Sequence, residues 1–218
     1  MDQLREVRVS PANDSEVLLQ LRDVSKSFGR TVVLDHISLA VHAGEIVALI
    51  GENGAGKTTL LKICVGLLSP DDGTVERRGR IGYSPQVPGL MDLLSANEHL
   101  VLFDRAPELA PGGDGERILE SLGFPMGDLD SKLSRDLSGG TRQKLNLALA
   151  MLGLTEVLIL DEPYQGFDQG SYLNFWEFAA QWRAAGRAVI VVTHLMTELD
   201  RVDRVVELRN MAMAGDSQ

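Results

Sequence analysis

The stretch IVALIGENGAGKTTL, residues 46–60, decides the fold. Its first five residues are apolar without alternation, which is typical of a strand covered on both faces of a parallel sheet. Residues 51–58 fit the pattern G-x-x-x-x-G-K-[ST], and apolar residues at helical spacing follow from Leu60 onward. Glycines let such a loop curl so that its N–H groups converge on phosphate oxygens at the positive end of the helix. The sequence therefore predicts a phosphate-binding loop.

Side chains in this loop indicate a nucleotide with a magnesium ion. Lys57 adds a full charge at the β- and γ-phosphates, Thr58 offers a hydroxyl ligand to Mg²⁺, and Thr59 is a candidate α-phosphate contact. A glycine-rich turn that matches by accident is the alternative, and the flanking strand and helix argue against it. The residues predicted to line the nucleotide are Gly51, Glu52, Asn53, Gly54, Ala55, Gly56, Lys57, Thr58 and Thr59.

Apolar runs on successive residues recur at 157–160 and 188–192, which predicts two further buried parallel strands. Helical patterns lie between the runs, so we expect an α/β core. One such pattern forms a single apolar stripe, made of Leu145, Ala148, Leu149 and Leu152. A second helical stripe, favoured as core packing over a partner surface, is Tyr172, Phe175, Trp176, Ala179 and Trp182.

Two regions differ from this alternation. Residues 1–16 are polar and irregular, and they are interpreted as a flexible tail. Residues 87–135 lack an apolar strand run and carry short helical patterns at 96–103 and 116–122, separated by Pro- and Gly-rich breaks. We interpret this part as a small helical lobe inserted into the core.

Two carboxylates, Asp161 and Glu162, follow the second apolar run at the sheet edge where open α/β sheets bind ligands. Asp161 is the candidate Mg²⁺ partner, and Glu162 is the candidate base that activates water. The alternative is that both acids only cap the strand before a turn at Pro163. His194 follows the third run and could donate to a γ-phosphate, although a lone histidine there is more often structural. Gln86 could reach Mg²⁺ or water, but by itself it has the character of a loop residue.

Composition restricts the classes of function. The 218 residues carry 21 Lys+Arg and 31 Asp+Glu, a net charge of −10, which argues against a general nucleic-acid or anionic-lipid binder. Hydrophobic residues make up 44%, as in ordinary globular proteins. Cys64 is the only cysteine, so no intrachain disulfide forms, and a reducing compartment is expected. No apolar stretch is long enough to span a bilayer, and the N-terminus has no apolar core of a signal peptide.

A second specific motif is LSGGTRQ at residues 137–143. A serine and two glycines at a helix start present a hydroxyl and free N–H groups, which is a second anion site. Taken in order with GENGAGKT, Gln86, VLILDEP and His194, the motif gives a chain that resembles the nucleotide-binding subunit of an ATP-binding cassette (ABC) transporter, over about residues 18–210.

The resemblance implies a P-loop NTPase core of the ABC type: a mixed sheet with a parallel buried part, an antiparallel N-terminal part and an inserted helical subdomain at about 87–150. The ATPase domain would span 17–210, with a C-terminal tail at 211–218. Two copies, or one copy and a similar cassette, would pair head to tail with ATP between them. The residues assigned on this basis are Phe28 for adenine stacking, Ser138, Gly139, Gly140 and Gln143 for the second copy's nucleotide, and Asp168 for a contact with the opposite subunit. Phe28 could equally be a core residue beside its turn.

We therefore expect an ATPase that powers a separate transmembrane permease, located in the cytoplasm on the inner face of the membrane, with export favoured. The alternatives are a soluble ABC-type ATPase acting on nucleic acid or ribosomes, a small-molecule kinase and a non-hydrolysing regulatory subunit; no nucleic-acid partner is expected. Four positions depart from the family pattern without removing a catalytic group: Lys144, Tyr164, Gln165 and Phe167.

Overall fold

A computed structural model of the chain describes residues 3–9, 15–105, 115–153, 155–193 and 200–210. Within these ranges the strands are β1 (Leu4–Val9), β2 (Val17–Phe28), β3 (Thr31–His42), β4 (Ile46–Ile50), β5 (Asp72–Arg77), β6 (Ile81–Ser84), β7 (Val157–Asp161), β8 (Ala188–Val192) and β9 (Arg204–Leu208). The helices are α1 (Lys57–Val65), α2 (Ala96–Asp104), α3 (Gly115–Ser121), α4 (Gly139–Met151) and α5 (Gln169–Ala184).

Two sheets organise the molecule. The larger sheet has the order β1-β9-β4-β8-β7-β6, in which only the β1 pairing is antiparallel. The smaller sheet is antiparallel, in the order β3-β2-β5. The predicted mixed sheet, with a parallel buried part and an antiparallel N-terminal part, is therefore confirmed. All three apolar runs are buried strands, as their composition predicts.

Successive residues of β4, β7 and β8 point into two different cores, which is why these strands are apolar throughout. One core lies against α4, α5 and the helical lobe. The other lies against α1 and the small sheet. The predicted stripe on α4 is fully within the first core, and Phe175 and Trp176 of α5 are buried there as well.

The predicted tail is wrong for residues 4–9. These residues form β1, which pairs antiparallel with β9, so that Leu4 lies opposite Leu208. The Arg204 guanidinium donates to Glu6 Oε1 at 3.2 Å and fixes the strand from the side. The local sequence does not indicate this strand, because what stabilises it is pairing with β9, near the other end of the chain.

The helix after the phosphate loop ends earlier than its apolar pattern indicates. Gly66 adopts a left-handed conformation, with φ of +85°, and its N–H closes the last turn of α1. As a result Leu67 leaves the helix and is 69% exposed.

The helical lobe follows β6 and contains α2 and α3, close to the two predicted helical segments. A capping box begins α2: Ser95 Oγ accepts from the Glu98 N–H, and Glu98 Oε2 accepts from the Ser95 N–H. Buried His99 accepts from the Met91 N–H at 2.9 Å and holds the preceding loop on the helix. No helix within the described ranges is long and apolar enough to cross a membrane.

Candidate active site

The phosphate loop joins β4 to α1, as predicted. The Lys57 ammonium lies inside the loop and donates to the carbonyls of Gly51 at 2.7 Å and Glu52 at 3.0 Å. Gly56 begins the helix with φ of +101°, and a Cβ there would lie only 3.0 Å from Val33 Cγ1. Only glycine both adopts this positive φ without strain and lacks the Cβ that would crowd Val33, so another residue at this position would distort the loop.

The end of β7 lies directly beside this loop. Thr58 Oγ1 donates to Asp161 Oδ2 at 2.9 Å. Burial raises the pKa of Asp161, and the neighbouring Glu162 raises it further, while the hydrogen bond from Thr58 lowers it. Burial lowers the pKa of Lys57, and the two carboxylates partly oppose that shift.

Glu162 adopts a left-handed backbone conformation, with φ of +51°, which is strained for a residue with a side chain. The Gln86 amide donates to Glu162 Oε2 at 3.1 Å. The loop after β6 is thereby joined to the loop after β7 at the position predicted for the base.

One cavity of about 580 Å³ collects most of the predicted nucleotide residues, and this volume is ordinary for a small-molecule site. Its lining consists of Phe28, Val33, Asn53, Gly54, Gly56, Lys57, Thr58, Thr59, Gln86, Asp161 and Glu162. Phe28 is 53% exposed at the rim, so the interpretation of Phe28 as a core residue is wrong. Ala55 is a buried residue of the loop and does not line the cavity. His194 lies outside the described residues.

The donor set suits magnesium. Thr58, Asp161 and Gln86 bring oxygen atoms to the same cavity, and Mg²⁺ prefers oxygen ligands. Among the described residues, no group of three or more His, Cys, Asp or Glu side chains could hold a metal. The phosphates of a nucleotide would therefore have to complete the coordination.

The LSGG residues lie at a separate place, at the start of α4. Ser138 caps this helix by accepting from the Thr141 N–H at 3.2 Å. A second cavity of about 290 Å³ is lined by Gln86, Pro88, Gly139, Gly140, Arg142, Gln143, Gln165 and Gly166. Gln86 thus borders both cavities. Gln143, predicted to contact the nucleotide of a second copy, lies at this cavity and is only 3% exposed in the single chain.

The family profile described as ABC transporter matches residues 34–165, more than half of the chain. The chain belongs to the ABC transporter family. Its relatives include the Nod factor export ATP-binding protein I of Sinorhizobium fredii, 36% identical over 203 residues, which are 86% of this chain and 59% of that protein. The zinc import ATP-binding protein ZnuC of Paramagnetospirillum magneticum is 39% identical over 202 residues, which are 91% of this chain and 76% of that protein. The chain spans only 59% and 65% of the first two Nod factor export relatives.

Solved structures agree on the fold of this ABC cassette. The ATP-binding subunit of an ABC transporter superposes with a TM-score of 0.78 at 30% identity, covering 88% of each chain. A dimeric bacterial ABC transporter cassette also gives a TM-score of 0.78, at 24% identity, covering 88% of this chain and 94% of the other. The second likeness concerns the fold alone.

Two of the unusual residues of this ABC cassette contact each other. Lys144 Nζ lies 5.8 Å from the centre of the Phe167 ring, and it also donates to the Gly123 carbonyl at 2.8 Å. Lys144 further contacts Asp168 Oδ2 at 3.4 Å. Asp168 caps α5 by accepting from the N–H and hydroxyl of Ser171, and these bonds, aided by Lys144, hold its pKa well below the usual range.

A third departure, Tyr164, packs edge-on against Phe175 of α5 with ring centres 5.4 Å apart. The large side chain therefore extends the first core instead of leaving a gap. Sequence reasoning missed Asn146, whose amide donates to Ser84 Oγ at 2.9 Å and to the Pro85 carbonyl at 3.0 Å. The sequence does give one indication, because Asn146 is a polar residue in the middle of an apolar helix. Its hydrogen bond to the Pro85 carbonyl holds the loop that leads to Gln86.

Proposed function

We propose that this ABC cassette binds ATP with Mg²⁺ in the 580 Å³ cavity and hydrolyses it, in a pair of cassettes that powers a transmembrane permease. The observation that carries the proposal is the convergence of the phosphate loop, both carboxylates after β7 and Gln86 on one cavity. The family membership supports the same chemistry.

Binding follows from the loop. Phosphate oxygens would take the Lys57 donors that now reach the Gly51 and Glu52 carbonyls, and the loop N–H groups and the α1 dipole add to the attraction. The Phe28 ring, exposed at the rim, offers a face on which adenine can stack.

Hydrolysis needs an activated water in line with the γ-phosphorus. Glu162 accepts the proton of that water as its oxygen attacks, and ADP leaves as the bond to the γ-phosphate breaks. Gln86 orients Glu162 through the bond seen between them. Thr58 and Asp161 would hold a Mg²⁺ ion, which would neutralise charge on the phosphates.

A second cassette completes each site. Ser138 and Gly139 are exposed at the first turn of α4, and neither residue lines the phosphate cavity of its own chain. This helix start has the hydroxyl and N–H groups to bind the γ-phosphate held by another copy. Asp168 would lie at the same contact.

The helical lobe offers the surface for the permease. Its exposed apolar side chains include Val87, Met91, Leu93, Val101 and Leu102. Val101 and Leu102 line a groove of about 340 Å³ along α2, together with Leu94 of the loop before the helix. Because Gln86 immediately precedes the helical lobe, phosphate chemistry at Glu162 would move the docking surface.

The cassette would lie on the inner face of the cytoplasmic membrane, where its permease would hold it. Export is the favoured direction, although relatives carry both export and import names.

Two variants test the proposal. Glu162→Gln should keep ATP binding and trap an ATP-bound dimer, while turnover falls by about a hundredfold or more. Lys57→Ala should lose ATP binding itself. ATPase rates, ATP titration and light scattering after size exclusion measure these effects, and Glu120→Gln, on the exposed face of α3, is the control that should match the wild type. Unchanged turnover in Glu162→Gln would reject Glu162 as the base.

A further inference from the structure

Gln3, which immediately precedes β1, has a buried side chain whose hydrogen-bond partners within the described part of the chain are all backbone groups. Its Nε2 donates to the Val33 carbonyl at 2.9 Å and the Arg209 carbonyl at 3.0 Å, with the Ala55 carbonyl at 3.5 Å. Its Oε1 accepts from the Asp35 N–H at 2.9 Å. The residue is only 4% exposed. Because three carbonyls face one end of the amide and an N–H faces the other, its orientation is fixed.

These partners form the back of the phosphate loop. Ala55 is part of the loop, and Val33 is the residue against which Gly56 packs, with only 3.0 Å between Val33 Cγ1 and the position of a Cβ on Gly56. Arg209 follows β9, and its N–H donates to the Gln3 carbonyl at 2.9 Å. One side chain thus joins three segments that meet behind the site.

The end of β9 touches the loop directly. A Cβ on Gly51 would collide with the Leu208 carbonyl, so the first residue of the loop lies against the last residue of that strand. Leu208 is paired with Leu4 of β1. A shift of β1 would therefore displace Gly51, through the contact with β9, and Ala55, through the hydrogen bond from Gln3.

We propose that Gln3 is a positioning residue for the nucleotide site, which sets the phosphate loop against β3 and β9 in the shape that binds the triphosphate. The inference rests on the proposed ATP binding and goes beyond it. Gln3 touches no nucleotide in this scheme; it acts through the backbone of Ala55 and Val33. The loop motif itself does not indicate such a support, because the described contacts of the Gln3 side chain are with backbone atoms.

Coupling of this kind is reciprocal. If docking of Gln3 and β1 favours the ATP-binding shape of the loop, ATP must stabilise the docking of β1 by the same factor. Hydrogen exchange of the β1 amides is therefore expected to slow when ATP is added to the wild-type chain.

The variant for the test is Gln3→Met, which keeps the length of the side chain and removes its hydrogen bonds. The dissociation constant for ATP is expected to rise about tenfold, with the rate at saturating ATP within about twofold of wild type. Val7→Thr is the matched control, since Val7 lies on β1, the strand that follows Gln3, and is 55% exposed. ATP titration and steady-state kinetics well below the melting temperature separate affinity from stability.

A Gln3→Met protein that melts earlier but binds ATP like the wild type would overturn the inference, because a purely structural role predicts that result. If the variant fails to fold, the exchange experiment on the wild-type chain still decides: β1 amides that ATP leaves unaffected would refute the coupling. Failure of the proposed function looks different, since the wild type itself would then not bind ATP.

Discussion

Asp161 carries a cost to stability that its proposed role as a magnesium ligand would explain. Burial raises its pKa above the ordinary 3.8, so the folded protein holds the carboxyl proton more tightly than the unfolded chain. The charged form therefore opposes folding at neutral pH, fully so above the folded-state pKa, and this penalty disappears below the unfolded value. We expect Asp161→Asn to raise the melting temperature of the nucleotide-free protein at neutral pH, by about 2–4 °C for each kcal/mol of penalty that it relieves. Calorimetry from neutral to acid pH should show the gain shrinking as pH falls.

Asp71 is the control of opposite sign. The hydrogen bond from Lys26, at 2.6 Å, and that from the Ser27 N–H lower its pKa. Asp71→Asn should therefore lower the melting temperature at neutral pH, and the difference should vanish in acid as the wild type loses the same charge. Two curves that moved in the same direction would contradict this account of Asp161.

The first turn of α4 contains two glycines with different surroundings. A Cβ on Gly140 would collide with the Gly166 carbonyl, whereas a Cβ on Gly139 meets no atom within 4 Å. Since neither backbone can shift freely, Gly140→Ala should destabilise the protein by about 1–3 kcal/mol in denaturant unfolding. Gly139→Ala should fold at least as well as the wild type, because alanine favours helix.

The same pair separates folding from assembly. If the exposed start of α4 faces the nucleotide of another copy, the methyl group of Gly139→Ala should weaken the ATP-dependent dimer although the monomer is stable. Light scattering of this variant combined with Glu162→Gln measures the effect. A full dimer in the combined variant would place the contact elsewhere.

The elements that sequence reasoning found are those whose cause is local. The buried strands and the phosphate loop follow from short patterns, and the structure has them where they were expected. The strand β1 was not predicted because the strand it pairs with, β9, lies about two hundred residues away in the sequence, where Leu208 is opposite Leu4. The contacts of Gln3 and of Gly140 could not be predicted, because they are made with backbone atoms, and no pattern of side chains indicates such contacts. A glycine at position 66 can end a helix, but the apolar pattern continues past it to Leu67 and Leu68, so the sequence indicated a longer helix.

At the scale of the whole molecule, net charge opposes the proposed pairing. Each copy carries −10, so two copies repel one another at long range, and the bound triphosphates add to the negative charge. Raising salt from about 0.1 M to about 1 M shortens the screening length from about 10 Å to about 3 Å. We therefore expect the ATP-bound Glu162→Gln dimer to dissociate less in high salt, with a dissociation constant at least about twofold lower. Sedimentation at saturating ATP measures this constant, and a monomer titration in each salt controls for weaker nucleotide binding.

A variant with less negative charge should reproduce the effect of salt. Glu116 and Glu120 are exposed residues of α3, and neither lines the phosphate cavity or the cavity at the start of α4, so both can be replaced by lysine. Introduced together into Glu162→Gln, the substitutions Glu116→Lys and Glu120→Lys should strengthen the dimer at low salt and leave it unchanged at high salt, because screening removes the repulsion that they relieve. If salt instead weakened the dimer, complementary charges across the interface would outweigh the net repulsion, and the pairing would depend on local ion pairs.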